Sequence, residues 1–282
     1  MTDGPASLPI GVCLRAIRAE PVWWLESARR LDEAGYAGLW CWDHFMGRGD
    51  KAVPVVESWT MLSMAAAQTR RVTVAPFVLN VMNRHPALVA RMASTLQIAS
   101  GGRLILGMGI GGGPAEHEAF GKPYPETPDR VRHLTEAVAT IRALWTGGPV
   151  SRESDLYPLR DAAAFPVPVP PPPIVIGGET PAGARLAGRI GDGWSAFDTN
   201  FEANLPRYLE ALEAAGRSRA EQTVLVGFQG DWLGDSSIRD TGWTQDPRAT
   251  WERWHEAGAD GAIVLARSTD DVDALVDAVA RW

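Results

Sequence analysis

An acid and an imidazole stand side by side at Asp43-His44, at the end of the apolar run Leu39-Trp40-Cys41-Trp42. Unperturbed imidazole titrates at about 6.5, which suits a proton donor or acceptor at neutral pH. Neighbours on an unbroken strand face opposite sides, so the two share a site only if the strand ends or bends between them. Two glycine-rich stretches add other equipment: Gly107-Met108-Gly109-Ile110-Gly111-Gly112-Gly113 and Gly177-Gly178-Glu179-Thr180-Pro181. Each follows an apolar run and precedes a helical pattern. Glycines let a phosphate approach the backbone, and the free amides of a helix N-terminus supply donors and partial positive charge. One such loop is also an ordinary tight turn; two on neighbouring strands favour an anion site. Glu57, Glu116, His117 and Glu118 are further polar candidates, each better read as part of a solvated loop. His85, His133 and His255 read as structural, and the scatter of His and carboxylates shows no metal spacing, so no metal is expected.

The elements that must position these residues alternate regularly. Short apolar runs begin near Pro9, Leu39, Val72, Arg103, Ile174, Gly193, Thr223 and Gly261, the seventh reaching Phe228, and each precedes a segment with helical spacing. Strands apolar on both faces, alternating with helices eight times, predict a parallel (β/α)8 TIM barrel, whose chemistry sits at the C-terminal ends of its strands. The Pro-rich stretch from Gly147 to Pro173 is expected to be an insertion between helix 4 and strand 5, because the alternation resumes directly after it. Residues 1–282 are therefore read as one domain. Pro76, inside the third strand, cannot donate to a ladder and marks a local irregularity.

A net charge of −7 with no basic stripe argues against a nucleic-acid partner. No apolar run approaches the roughly 18–20 residues of a membrane span, and no signal sequence opens the chain, so a cytoplasmic protein with no membrane partner is expected. Cys13 and Cys41 read as buried small hydrophobes.

Several motifs, in order, resemble the luciferase-like monooxygenase superfamily: Arg84-His85-Pro86-Ala87, Ser100-Gly101-Gly102-Arg103-Leu104-Ile105-Leu106-Gly107, Ile174-Val175-Ile176-Gly177-Gly178 and Leu186-Ala187-Gly188-Arg189-Ile190-Gly191-Asp192-Gly193-Trp194. Trp42-Asp43-His44-Phe45 is similar to the signature of the F420-dependent branch. The resemblance implies FMN or the deazaflavin F420 at the barrel mouth, with His44 in proton transfer and Asp43 helping to position the ring. It also implies a non-prolyl cis peptide, by position at Pro76-Phe77, and a homodimer. Pro76, Phe77 and Asn80 of the third strand, Gly109, Ile110, Gly111 and Gly112 of the first loop, and Gly177, Gly178, Glu179 and Thr180 of the second are the expected cofactor contacts. FMN-dependent relatives commonly present an Arg after the fourth strand to meet a phosphate monoester. Gly109 to Gly113 contains no basic residue, which favours the singly charged phosphodiester of F420 over the alternative, FMN. The implied reaction is hydride transfer between deazaflavin C5 and a small organic substrate. An FMN-dependent monooxygenase and a catalytically inactive flavin- or deazaflavin-binding protein are the alternatives. Sugar-phosphate dehydrogenases of the family have a Trp shortly after the histidine and a Glu in the fourth-strand loop, where this chain has Arg48 and Gly112, so the substrate stays open.

Overall fold

The computed structural model describes residues 8–47, 50–227 and 237–282. The chain runs β1 (Ile10–Leu14), α1 (Pro21–Ala34), β2 (Gly38–Cys41), α2 (Ser58–Gln68), β3 (Thr73–Pro76), β4 (Leu79–Asn80), α3 (Pro86–Ala99), β5 (Leu106–Gly109), α4 (Pro114–Ala119) and α5 (Thr127–Leu144). It continues with β6 (Val150–Arg152), β7 (Leu159–Ala162), β8 (Ile174–Gly177), α6 (Pro181–Ile190), β9 (Gly193–Phe197), α7 (Asp198–Ala214), β10 (Thr223–Gly227), α8 (Gly242–Gln245), α9 (Pro247–Glu256), β11 (Gly261–Ala266) and α10 (Thr269–Val279). The main sheet has the order β3-β2-β1-β11-β10-β9-β8-β5-β4, and all its pairings are parallel. β3 and β4 are two halves of one stave. Val74 of β3 bridges Leu104, and β4 pairs with β5, which closes the ring into the expected TIM barrel.

Two buried layers hold it. Cys13, Trp40, Ala75, Val175, Leu225 and Ile263 form a separate cluster that fills the lumen. Alternate residues of the same strands, such as Val12, Leu14, Leu39 and Val74, join the larger cluster between sheet and helices. Helix ends follow from local sequence. Pro21 opens α1 at its first turn, and Gly35, at φ 97°, closes it. α6 and α7 touch closely at Gly188, where a Cβ would stand 2.7 Å from the Tyr208 carbonyl oxygen.

Three expectations change. The Pro-rich connection contains an antiparallel pair, β6 with β7, before its extended tail. The fourth barrel strand runs later than its apolar residues suggest, through Gly109, which pairs with Asn80. The non-prolyl cis peptide is at Phe77-Val78 and not at Pro76-Phe77. Pro76 itself stays in register with Cys41, and the Phe77 amide donates to the Cys41 carbonyl at 2.8 Å, so the ladder continues past the proline and breaks one residue later. Phe228, the expected end of the seventh strand, and Arg48 lie outside the described residues.

Candidate active site

β2 ends at Cys41, and the next residues diverge. Asp43 has a side chain with no exposed surface. It accepts from Ser58 Oγ at 3.1 Å, from the Asn80 amide at 3.0 Å, from Asn83 Nδ2 at 3.1 Å and from Arg84 Nη1 at 3.0 and 2.9 Å. Arg84 also donates to Glu57, whose carboxylate caps α2 by accepting from the amides of Trp59 and Thr60. Burial opposes ionisation of Glu57, but the Thr60 hydroxyl, the two amides and Arg84 outweigh it and hold the carboxyl below its usual range. Burial likewise opposes the Arg84 charge, and Asp43 and Glu57 overcome it, raising the guanidinium above its ordinary value. Asp43 is thus the hub of a buried ion-pair chain joining the end of β2, the start of α2 and the loop after β4.

His44 goes elsewhere. Its Nδ1 stands 3.3 Å from Glu116 Oε2, with the imidazole 19% and the carboxylate 7% exposed. Burial opposes the Glu116 charge; the contact with His44 and the amides of Phe45 and Met46 prevail, so the carboxyl lies below its usual range. An ionised carboxylate only accepts, so Nδ1 carries the proton in this contact and Nε2 is the nitrogen left for exchange. Among the described residues Asp43 and His44 therefore share no hydrogen-bond partner, and the acid that serves the imidazole is Glu116, 72 residues on.

A second histidine supports the first layer. His117 Nδ1 lies 3.0 Å from the Pro123 carbonyl, which can only accept, so Nδ1 donates there and Nε2 accepts from Asn80 Nδ2 at 2.9 Å. Asn80 Oδ1 accepts from the Met82 amide at 3.0 Å. A Cβ on Gly111, at φ 78°, would fall 2.1 Å from that oxygen. The asparagine expected against the cofactor thus has its amide group tied into the rim. Glu116 and His117 are buried, not parts of a solvated loop, because α4 folds their short segment back onto the rim; Glu118 is exposed. His85 caps α3, His133 meets the Tyr157 hydroxyl at 2.8 Å, and His255 stacks on Trp251.

The glycine loops follow β5 and β8, and the first runs directly into α4, which carries Glu116. Gly109 belongs to the ladder, and Ile110 to Gly113 make the turn. Arg130, from α5, donates to the carbonyls of Ile110 at 3.3 Å and Gly111 at 2.7 Å, fastening the loop from behind. Gly112 is exposed, and a Cβ there would meet nothing within 4 Å. In the second loop, Trp194 Nε1 donates to the Gly178 carbonyl at 2.9 Å, and its indole is stacked between Phe201 and Tyr208. A Cβ on Gly178 would stand 2.6 Å from the Gly183 backbone, so α6 starts directly against it. Thr180 caps α6 by accepting from the Gly183 amide at 3.1 Å. Glu179 turns its carboxylate to the Phe197 amide at 3.1 and 3.0 Å and to Asn200 Nδ2 at 3.1 Å, and burial raises its carboxyl. The carboxylate is thereby drawn onto β9 and α7, while α6 presents its N-terminal amides. Between the loops, Val78 fills room left by glycines: a Cβ would lie 2.6 Å from it at Gly109 and 3.1 Å at Gly177. Phe77 packs edge-on to Trp40 and Phe197 with centroids 5.6 and 6.4 Å away.

Glu116 and His117 were candidates that the sequence placed in a solvated loop, whereas Arg84, visible only as part of Arg84-His85-Pro86-Ala87, and Arg130, with no local signal, were not expected at the site. Among the described residues no group of three or more His, Cys, Asp or Glu is placed to hold a metal ion, and no helix is long and apolar enough to cross a membrane.

The family model described as luciferase-like monooxygenase matches residues 22–229. The F420-dependent glucose-6-phosphate dehydrogenase of Kineococcus radiotolerans is 31% identical over 90% of this chain and 77% of its own length. The F420-dependent hydroxymycolic acid dehydrogenase of Mycobacterium tuberculosis is 32% identical over 80% of this chain and 65% of its own. Among solved structures, an F420-dependent secondary alcohol dehydrogenase in complex with an F420-acetone adduct superposes with a TM-score of 0.82 at 23% identity, covering 96% of each chain.

Proposed function

The chain belongs to the luciferase-like monooxygenase family, and from that premise we propose that it is an F420-dependent oxidoreductase acting on a small organic substrate. The observation that carries this reading is the His44–Glu116 pair at the end of β2, on the same rim as two glycine loops that lead into helices. The rim fits F420 on its own geometry. Backbone cradles and the α6 N-terminus suit one phosphodiester charge. Arg130, which contacts the first loop, is turned onto its carbonyl oxygens and not toward an anion. A phosphate monoester of nearly two charges, as in FMN, has less to meet it there.

Bound F420 supplies a hydride donor or acceptor at C5 of its deazaflavin. His44 Nε2 takes the proton from a substrate hydroxyl as the carbon loses hydride, or returns it to the oxygen in the reverse direction. Glu116 fixes the tautomer that leaves Nε2 available. Asp43 holds the rim in place through Arg84 and is a positioning residue. Trp40, Phe77 and Phe197 pack the lumen beneath the mouth and keep water from entering below.

Titration of the protein with F420 and with FMN, followed by quenching of cofactor fluorescence, tests the reading. Saturable binding of F420 and much weaker binding of FMN are expected. Tight FMN binding without F420 binding refutes it.

A further inference from the structure

The short helix α4 brings Glu116 to His44, yet little of it is anchored. Its six residues are far fewer than the ~12–15 at which a helix begins to stand alone in water. The buried residues of α4 are Glu116 and His117, so no apolar side chain of its own ties it to the barrel. Pro114, Ala115, Glu118 and Ala119 are exposed. Polar contacts therefore fix its place.

Two side chains tie this segment to the residues at and after β4. His117 Nε2, within α4, accepts from Asn80 Nδ2 at 2.9 Å. Lys122 stands just beyond the helix. Gly121, at φ 62°, turns the chain back, and the Lys122 amide donates to the His117 carbonyl at 2.8 Å. The Lys122 ammonium donates to Asn83 Oδ1 and lies 4.9 Å from the centroid of the Phe45 ring. Phe120, the last residue before that turn, meets the same ring edge-on at 5.9 Å. Lys122 thus grips the residue after His44 and, through Asn83, the buried Asp43. Burial and the Arg84 guanidinium lower the basicity of its amine, and the carboxylates of Asp43 and Glu116 oppose them.

We propose that Lys122 is a positioning residue: its clasp on Asn83 and Phe45 holds α4 down and keeps Glu116 on His44. This deepens the function proposed above and rests on it for the role of that pair. A segment without an apolar anchor opens easily, so each polar contact accounts for a large share of its docking. A hydrogen bond from a charged donor is stronger than a neutral one, and a cation over an aromatic face adds to it. Without the clasp, water competes for the Glu116 carboxylate, and His44 loses the acceptor that fixes its tautomer.

The test follows amide hydrogen exchange across residues 113–122 of the full-length protein, with α7 as a remote reference. Lys122→Met should speed exchange of the His117 and Phe120 amides by about tenfold or more and leave α7 unchanged. Lys122→Arg should retain part of the protection, and Glu118→Gln, on the exposed face of α4, should retain all of it. Asn83→Ala removes the acceptor while Lys122 keeps its charge, and it should speed the same amides. The second readout is the Glu116 carboxyl, followed by carbon NMR and assigned with Glu116→Gln. In Asn83→Ala it should titrate nearer the ordinary carboxyl range than in the parent protein, where it lies below. The proposal is overturned if Lys122→Met leaves exchange in α4 unchanged. It is overturned equally if Asn83→Ala leaves both readouts at the parent values, since Lys122 then acts through charge alone, or if α7 speeds up to the same extent, which marks a general loss of stability. A separate F420 titration keeps the two readings apart: no F420 binding, with the exchange pattern intact, overturns the cofactor reading and leaves the clasp standing.

Discussion

Replacing Asp43 by Ala would remove the hub of the Arg84–Asp43 pair and strand a guanidinium whose side chain is only 10% exposed. The Asn80 amide and the Ser58 hydroxyl would lose their acceptor at the same time. Glu57 would keep Arg84 partly compensated, but its side chain is 40% exposed, so it screens the charge poorly. Breaking a buried pair from one side costs about 3–5 kcal/mol. For 282 residues the unfolding entropy is about 0.6 kcal/mol/K, so Tm should fall by about 5–8 °C. Differential scanning calorimetry at pH 7 measures this directly. Arg84→Met should cost a similar amount, because it leaves Asp43 buried without its cation. The double variant should cost clearly less than the two singles together, since neither stranded charge then remains. A fall in Tm below about 2 °C for Asp43→Ala, or strict additivity in the double variant, would refute the idea that this pair anchors the rim.

His44→Ala should lower kcat by about 10²–10⁴ while F420 affinity is retained; unchanged turnover would remove the proton-transfer role. Glu116→Gln should reduce kcat by about tenfold or more and alter the pH–rate profile, with Glu116→Asp recovering part of the rate. Because the folded-state pKa values of Glu57 and Glu116 lie below their unfolded values, their stabilisation is present above about pH 4.5 and disappears as pH falls through the folded values. Tm measured downward from pH 6 should therefore decline less steeply in Glu116→Gln than in the parent protein. Gly178→Ala should destabilise the protein and weaken F420 binding, because its Cβ would meet the Gly183 backbone at 2.6 Å. Gly112→Ala, with open space around it, should change stability by less than about 0.5 kcal/mol.

Much of the barrel is legible because each strand is apolar on both faces and each helix has its own stop, such as Gly35 or the Gly101-Gly102 pair. Strand limits were harder where glycine does the pairing. Gly107 and Gly109 carry no apolar side chain to mark them as strand, yet they sit in the β5 ladder beside Val78 and Asn80. The cis bond falls one residue after the proline that advertises it, because the Phe77 amide still has a ladder partner. At the site, His44 stands out as an imidazole at the end of an apolar strand. Its partner does not, because Glu116 lies in a six-residue helix with too few turns to show a period. The identity of Asp43's cation was hidden for a similar reason: 41 residues separate it from Arg84, and no local pattern reports a contact across that distance.

The rim is divided between two kinds of recognition. On the β5 and β8 side it offers peptide groups held by Arg130 and Trp194; past the end of β2 it offers charged side chains, His44 with Glu116 and Asp43 with Arg84. A peptide N–H persists whatever its residue becomes, so the first side tolerates drift in everything except bulk. The second changes its preference with a single codon. Such a barrel can keep one coenzyme over long descent while its descendants exchange one substrate for another.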